Sequence, residues 1–167
     1  AFSSQSRCWP GGTPGQLLFP AEPIFFVQTP KEVWIIWQRQ QEVRRIYLNV
    51  PHSRNVKPSW FGESIGHYEN GDTLVVDTIG LNTKTFVDNY RTPHTDKLHV
   101  VERYRMIQGG KTLEVRFMVE DPETFNQPWM AVRRFNRIKS TLGEQICQEG
   151  NFNLFDYGTP VAKTPDF

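Results

Sequence analysis

Between Val33 and Gln148 turn-forming residues recur so often that no long helix fits between them. The intervening segments are short and alternate apolar with polar side chains, the period of a half-buried strand. Val33 to Gln38 and Glu42 to Leu48 are predicted to form a hairpin across Arg39-Gln40-Gln41. Glu63 to Glu69 and Asp72 to Ile79 flank Asn70-Gly71. Asn-Gly is a strong hairpin signal, because a type I′ turn needs positive φ at both central residues. Leu98 to Ile107 and Lys111 to Glu120 flank Gly109-Gly110, and Asp121-Pro122-Glu123 ends the second of them. Met130 to Ile138 and Glu144 to Gln148 complete the set. Only a turn near Thr83 to Asn89 reads as helical.

About eight antiparallel strands joined by short turns predict an all-β fold. The most economical closure is an up-and-down barrel of the lipocalin or calycin-like kind. A two-sheet β-sandwich is the alternative. The whole chain, 1–167, reads as one domain with no internal repeat. Residues 1–30 hold five prolines and read as an extended arm, because proline is excluded from helix interiors and central strands. Trp9, Leu17, Leu18, Phe19, Ile24, Phe25 and Phe26 are expected to pack that arm over the domain. Residues 31–148 form the barrel and 149–167 a tail.

The bulk properties exclude more than they assign. With a net charge of +1, bulk attraction to nucleic acid is not implied. No apolar run approaches membrane-spanning length. The first residues, "AFSSQS", lack an initiator Met and read as a processed or truncated start. No P-loop, G-x-G-x-x-G, G-x-S-x-G or H-E-x-x-H occurs, so no cofactor is implied. Cys8 and Cys147 stand at opposite ends, outside any CxxC pair. A disulfide between them would close a loop of about 140 residues, worth about 4–5 kcal/mol on the chain-entropy model. Two buried free thiols are the alternative.

Polar residues on apolar faces mark the candidate chemistry. Leu98, Val100, Glu102, Tyr104 and Met106 share a strand face, so Glu102 is expected among apolar neighbours. Desolvation disfavours a charged carboxylate there and suits it to acid–base work. The structural reading is an ion pair with an arginine from a neighbouring strand, Arg45 or Arg134. Asp77 shares a face with Thr73, Val75 and Ile79 in the same way. His52 and His94 each follow a proline in a loop. His52 with Asp77 or Glu102 makes one acid–base set at a barrel mouth, with His99 a further candidate. Glu102 and His99 fall on opposite faces of one strand, so those two are not expected to share a pocket. His94, Asp96 and His99, with His52, make a weaker metal-ligand series whose spacing fits no common zinc signature. Three cationic clusters, Arg44-Arg45, Arg103/Arg105 and Arg133-Arg134/Arg137, read as solvated sheet faces or anion sites.

Four separated motifs occur in order: "KPSWFGESIGHYENGDTLVVDTIGLNTKTF", "HTDKLHVVERYRM", "VEDPETFNQPW" and "CQEGNF". Together they resemble a large group of uncharacterised exported bacterial proteins. That group carries W-x-G-x-S-x-G-x-W-E-G-D-T-L-V-V-D-T, L-H-x-x-E-R and D-D-P-x-x-[FYW]-x-x-P-W segments. The likeness spans about residues 7–155. Trp60, Gly62, Ser64, Glu69, Asp72, Asp77, His99, Glu102, Arg103, Pro128 and Trp129 match it by position. Tyr68 replaces the group's Trp, Asn70 is an extra turn residue, and Val50-Pro51 precede His52 where the group has an Arg-x-His pattern. The resemblance implies a periplasmic or extracellular location and one folding unit, and no reaction.

Aromatic residues are 13% of the chain, with five Trp and 12 Phe, and such rings need a core, a ligand or a partner. The leading expectation is an exported barrel binding a small apolar or aromatic molecule. Trp34, Trp37, Tyr47, Trp60, Tyr104, Phe117 and Trp129 are candidates for lining it. If it is an enzyme, the chemistry is cofactor-free proton transfer, an isomerase, cyclase or lyase. Glu102 or Asp77 would act with His52 or His99, and Tyr47 or Tyr104 would hold a developing oxyanion. The alternatives are a non-enzymatic subunit of an exported assembly, such as a homo-oligomer, and a His/Asp metal-binding protein. "VWIIWQ", apolar on both faces, suits the assembly reading.

Overall fold

The computed structural model describes residues 8–18, 23–88 and 90–147. Among the described residues the protein is all-β, with eight strands in one sheet in sequence order, one short α-helix, α1 (Gly15–Leu18), and two three-residue 3-10 helices, Arg39–Gln41 and Gln108–Gly110. The strands are β1 (Ile24–Gln28), β2 (Glu32–Trp37), β3 (Glu42–Leu48), β4 (Glu63–Glu69), β5 (Thr73–Ile79), β6 (His99–Ile107), β7 (Thr112–Glu120) and β8 (Trp129–Asn136). Asn70 and Gly71 both adopt positive φ, 53° and 73°, as the β4–β5 turn required.

The sheet curls into a half-barrel. Its ladder runs from β1 to β8, and β1 and β8 do not pair with each other among the described residues. The curl brings β1 across the concave side. Phe26 meets Tyr104 edge-on with ring centroids 6.0 Å apart, and Tyr68 Oη donates to Gln28 Oε1 at 2.8 Å.

Three expectations need correction. Ile24–Gln28, read as arm, is a strand paired with β2. Its prolines, Pro23 and Pro30, stand outside the strand, so they cost the edge no ladder bond. Glu144 to Ile146 form no strand, and Gln148 lies outside the described residues. The sheet is also mixed, because β3 and β4 pair in parallel, Ile46 opposite Ser64. Segment 49–62 carries the chain back along the sheet, as a parallel connection must.

The concave face is the core. Val33, Ile35, Ile46, Leu74, Val76, Val100, Val115, Phe117 and Val119 pack there together with Leu17 of the arm. Gly11 through Leu17 are all buried. The arm approaches so closely at Gly12, φ +67°, that a Cβ there would lie 2.7 Å from Thr85 Cγ2. The arm thus closes the half-barrel at the end where β2 stops and β3 begins. A disulfide joins Cys8 at its start to Cys147, 139 residues away. No helix among the described residues is long and apolar enough to cross a membrane.

Candidate functional site

Two polar clusters lie on opposite faces of the same strands. Val76 faces Glu102 and Asp77 faces Val101 in the β5–β6 register. Successive side chains alternate, so Glu102 points inward and Asp77 outward.

The inward cluster is a sealed ion pair. Arg44 and Glu102 are 1% and 0% exposed. Arg44 Nη1 donates to Glu102 Oε1 at 2.9 Å, and Nη2 to Oε2. Nε reaches Ser64 Oγ at 3.0 Å, and Nη2 also reaches Thr78 Oγ1 at 2.7 Å. Tyr104 Oη donates to Glu102 Oε1 at 2.7 Å. Burial and the neighbouring carboxylate push the Tyr104 phenol well up. Burial opposes the charge on Arg44 most strongly, yet the Glu102 carboxylate and Tyr104 together outweigh it and hold the guanidinium more firmly protonated than usual. The partner of Glu102 is therefore Arg44 rather than Arg45 or Arg134. Arg45 sits on the outer face, 4.8 Å from the Trp34 ring, and Arg134 Nε bonds Glu114.

The outward cluster joins loop 49–62 to four strands. His52 Nε2 lies 2.9 Å from Asp77 Oδ1, and His99 Nε2 lies 3.1 Å from the same oxygen. His52 Nδ1 is 3.0 Å from Glu63 Oε1. His99 Nδ1 is 3.5 Å from Glu120 Oε2, a looser contact. Carboxylate oxygens only accept, so both rings present Nε2–H to Asp77. Each imidazole lies between two carboxylates. Burial works against the charge of Glu63, but the Ser53 hydroxyl and N–H and the His52 ring hold its carboxyl below the ordinary value. The cluster is reachable by solvent, with Asp77 39% and His99 30% exposed.

Three of the four residues read from the sequence as catalytic, His52, Asp77 and His99, thus come together. The fourth, Glu102, lies behind the sheet. Asp77 belongs to the outer face, and the inward set on β5 is Leu74, Val76 and Thr78. Sequence reasoning missed Glu63 and Glu120. Both lie on the same outward face at the same end, but only the strand register places them beside the histidines.

The metal series does not assemble. His94 is buried, with Nε2 3.0 Å from Thr85 Oγ1 and Nδ1 2.8 Å from Thr95 O. Asp96 is exposed, 3.5 Å from Lys97 Nζ. Among the described residues no group of three or more His, Cys, Asp or Glu is arranged to hold a metal ion.

The aromatic candidates divide between places. Trp37, Tyr104 and Phe117 are core residues, and Trp129 packs edge-on against Phe117. Trp60 sits against Trp9 of the arm, with Lys84 over its ring. Tyr47 is on the convex face, so it points away from the interior it was expected to line. Among the cationic clusters, Arg103 pairs with Glu69 and Arg105 with Asp72, as on a solvated face. Arg137 differs: with Lys111 and Lys139 it borders a groove of about 510 Å³ at the far end of the sheet.

The fold and these clusters define an all-β half-barrel with a buried ion pair and an exposed carboxylate–imidazole chain. No protein-family model, curated protein or solved structure matches the chain.

Proposed function

We propose that this is an exported β-protein that binds a small molecule and moves a proton on it, as a cofactor-free isomerase or lyase. The convergence of His52, Asp77 and His99 from a loop and two strands is the observation that carries the reading. Asp77 fixes the His99 ring through Nε2–H and leaves Nδ1 as the working atom, the arrangement by which a carboxylate orients a catalytic imidazole. The Glu120 contact at that nitrogen is long, so an incoming acidic C–H group can replace it. His52 positions Asp77 from the other side, and His99 Nδ1 hands the proton it has taken back to the neighbouring carbon. Export is supported by the disulfide and by the four-motif likeness to exported bacterial proteins.

The test is deuterium exchange at acidic C–H positions. A panel of enolisable ketones and hydroxy ketones is incubated with the protein in heavy water and followed by proton NMR. Exchange of one panel member is expected, falling about 10²-fold in His99→Gln. Exchange as fast in that variant as in the parent, or none in the parent, overturns the reading.

A second reading, a subunit of an exported assembly, is favoured by β8. That strand has one ladder neighbour among the described residues, and Met130 and Val132 are 75% and 52% exposed on it. Open edges of this kind recruit further strands. A melting temperature that rises with protein concentration supports it, and an invariant one removes it.

A further inference from the structure

Opposite charges on a sheet face pair across strands where the register brings them together, so a place where cations gather without acids stands out. The outward arginines of β6 to β8 follow that rule: Arg103 pairs with Glu69, Arg105 with Asp72, and both Arg116 and Arg134 with Glu114. Lys111, Arg137 and Lys139 are the contrast. All three are exposed, and none has an acidic partner among the described residues. Glu114, the outward carboxylate next along β7 from Thr112, is held by Arg116 and Arg134, which keep its carboxyl below the ordinary value.

These three cations line one groove of about 510 Å³, together with Gln108, Thr112, Asn136 and Ile138. Hydrogen bonds tie its walls to each other. The Arg137 N–H donates to Lys111 O at 2.8 Å, one rung beyond the place where Thr112 stands opposite Asn136 in the β7–β8 ladder. The buried Thr112 hydroxyl lies 3.0 Å from Gln108 Oε1 and 3.5 Å from Asn136 Oδ1. Both amide oxygens are therefore turned to that hydroxyl, and both NH2 groups are left without a protein partner among the described residues. The free side-chain groups of the groove are thus all N–H donors: two ammoniums, one guanidinium and two amides.

We propose that this groove binds a small organic polyanion, a molecule carrying two or more phosphate or carboxylate groups. Oxyanions only accept hydrogen bonds, which matches a lining of donors, and the Arg137 guanidinium can hold one of them bidentately. Three uncompensated charges call for more than one anionic group. The volume falls within the range of small-molecule sites, about 300–1,000 Å³, so there is room for an organic scaffold rather than a lone ion. Ile138, 62% exposed, offers that scaffold an apolar surface between the cations. A neutral ligand would leave the three charges uncompensated, and a cation would be repelled. The groove lies past the Ile107 end of β6, and His99 begins that strand, so a full strand length separates it from the His52–Asp77–His99 cluster.

Isothermal titration calorimetry at low ionic strength with citrate, phosphoenolpyruvate and inorganic phosphate is the test. It is repeated on Arg137→Gln, on Lys111→Gln combined with Lys139→Gln, and on Arg103→Gln, which removes a paired cation outside the groove. Citrate or phosphoenolpyruvate is expected to bind at least about tenfold more tightly than inorganic phosphate, and about tenfold more weakly to each groove variant than to the parent, since a lost hydrogen bond to a charged group costs about a factor of ten or more. Arg103→Gln should bind as the parent does. Binding of citrate alone supports carboxylate groups on the ligand, and binding of phosphoenolpyruvate alone supports a phosphate. Binding of neither, binding no tighter than that of inorganic phosphate, affinity unchanged in the groove variants, or an equal loss in Arg103→Gln overturns the proposal and leaves the three cations a solvated surface. The substituted side chains are exposed, so the variants should melt as the parent does. The groove does not depend on His99, so binding that persists in His99→Gln separates it from the proton-transfer reading.

Discussion

The two faces of strands β5 and β6 hold nearly the same chemical groups and use them differently. On the concave side one carboxylate, one guanidinium and three hydroxyls satisfy each other out of water. On the convex side three carboxylates and two imidazoles form a chain that solvent reaches. Val76 and Asp77 are neighbours in sequence, as are Val101 and Glu102, yet the pleat sends each pair to opposite sides. A buried network with its partners complete has little freedom left for reaction, whereas an exposed one with a loose end at His99 Nδ1 has some.

The comparison breaks most visibly at Glu102. Glu102→Gln leaves the Arg44 charge buried without its counter-ion, and a loss of about 3–5 kcal/mol is expected in urea denaturation. Arg44→Met combined with Glu102→Leu removes both charges and should regain most of that loss. A single variant that loses less than about 1 kcal/mol would mean that water reaches the pair.

Glu42 is the next test, because it lies on the same concave face as Arg44, two residues earlier, with one oxygen unpartnered. Its carboxyl titrates at about 7 against 4.5 for an ordinary one. Between those values the folded protein holds more proton than the unfolded chain, so stability falls as pH rises through the window. Glu42→Gln should flatten that slope and leave the protein more stable above pH 7, by up to about 3 kcal/mol. Parallel melting curves of parent and variant from pH 5 to 8 would contradict this.

The smallest effect on stability is expected at Asp77. It is 39% exposed, and Asp77→Asn keeps the shape of the side chain, so a change below about 1 kcal/mol is expected. A loss comparable to that of Glu102→Gln would make the convex chain a structural tie for loop 49–62, the opposite of the role proposed for it.

The sequence by itself determined seven of the eight strands, β2 to β8, most of their turns and the inward set on β6 and β7. Those follow from local rules: the two-residue period, and Asn-Gly and Gly-Gly at positions of positive φ. It also carried His52, Asp77 and His99 as candidates, because ionisable groups stand out in segments of that pattern. The tertiary structure alone decided the rest. Arg44 rather than Arg45 pairs with Glu102 because of the parity of β3 relative to β6, and no local signal connects strands 58 residues apart. The parallel pairing of β3 with β4 comes from the path of segment 49–62, which also delivers His52 to Asp77. Ile24–Gln28 became a strand because the edge of β2 offered it partners. The Gly11 N–H reaches the Glu42 carboxylate because the arm folds back over the end of the sheet. Each of these depends on register and chain path, which long-range packing selects.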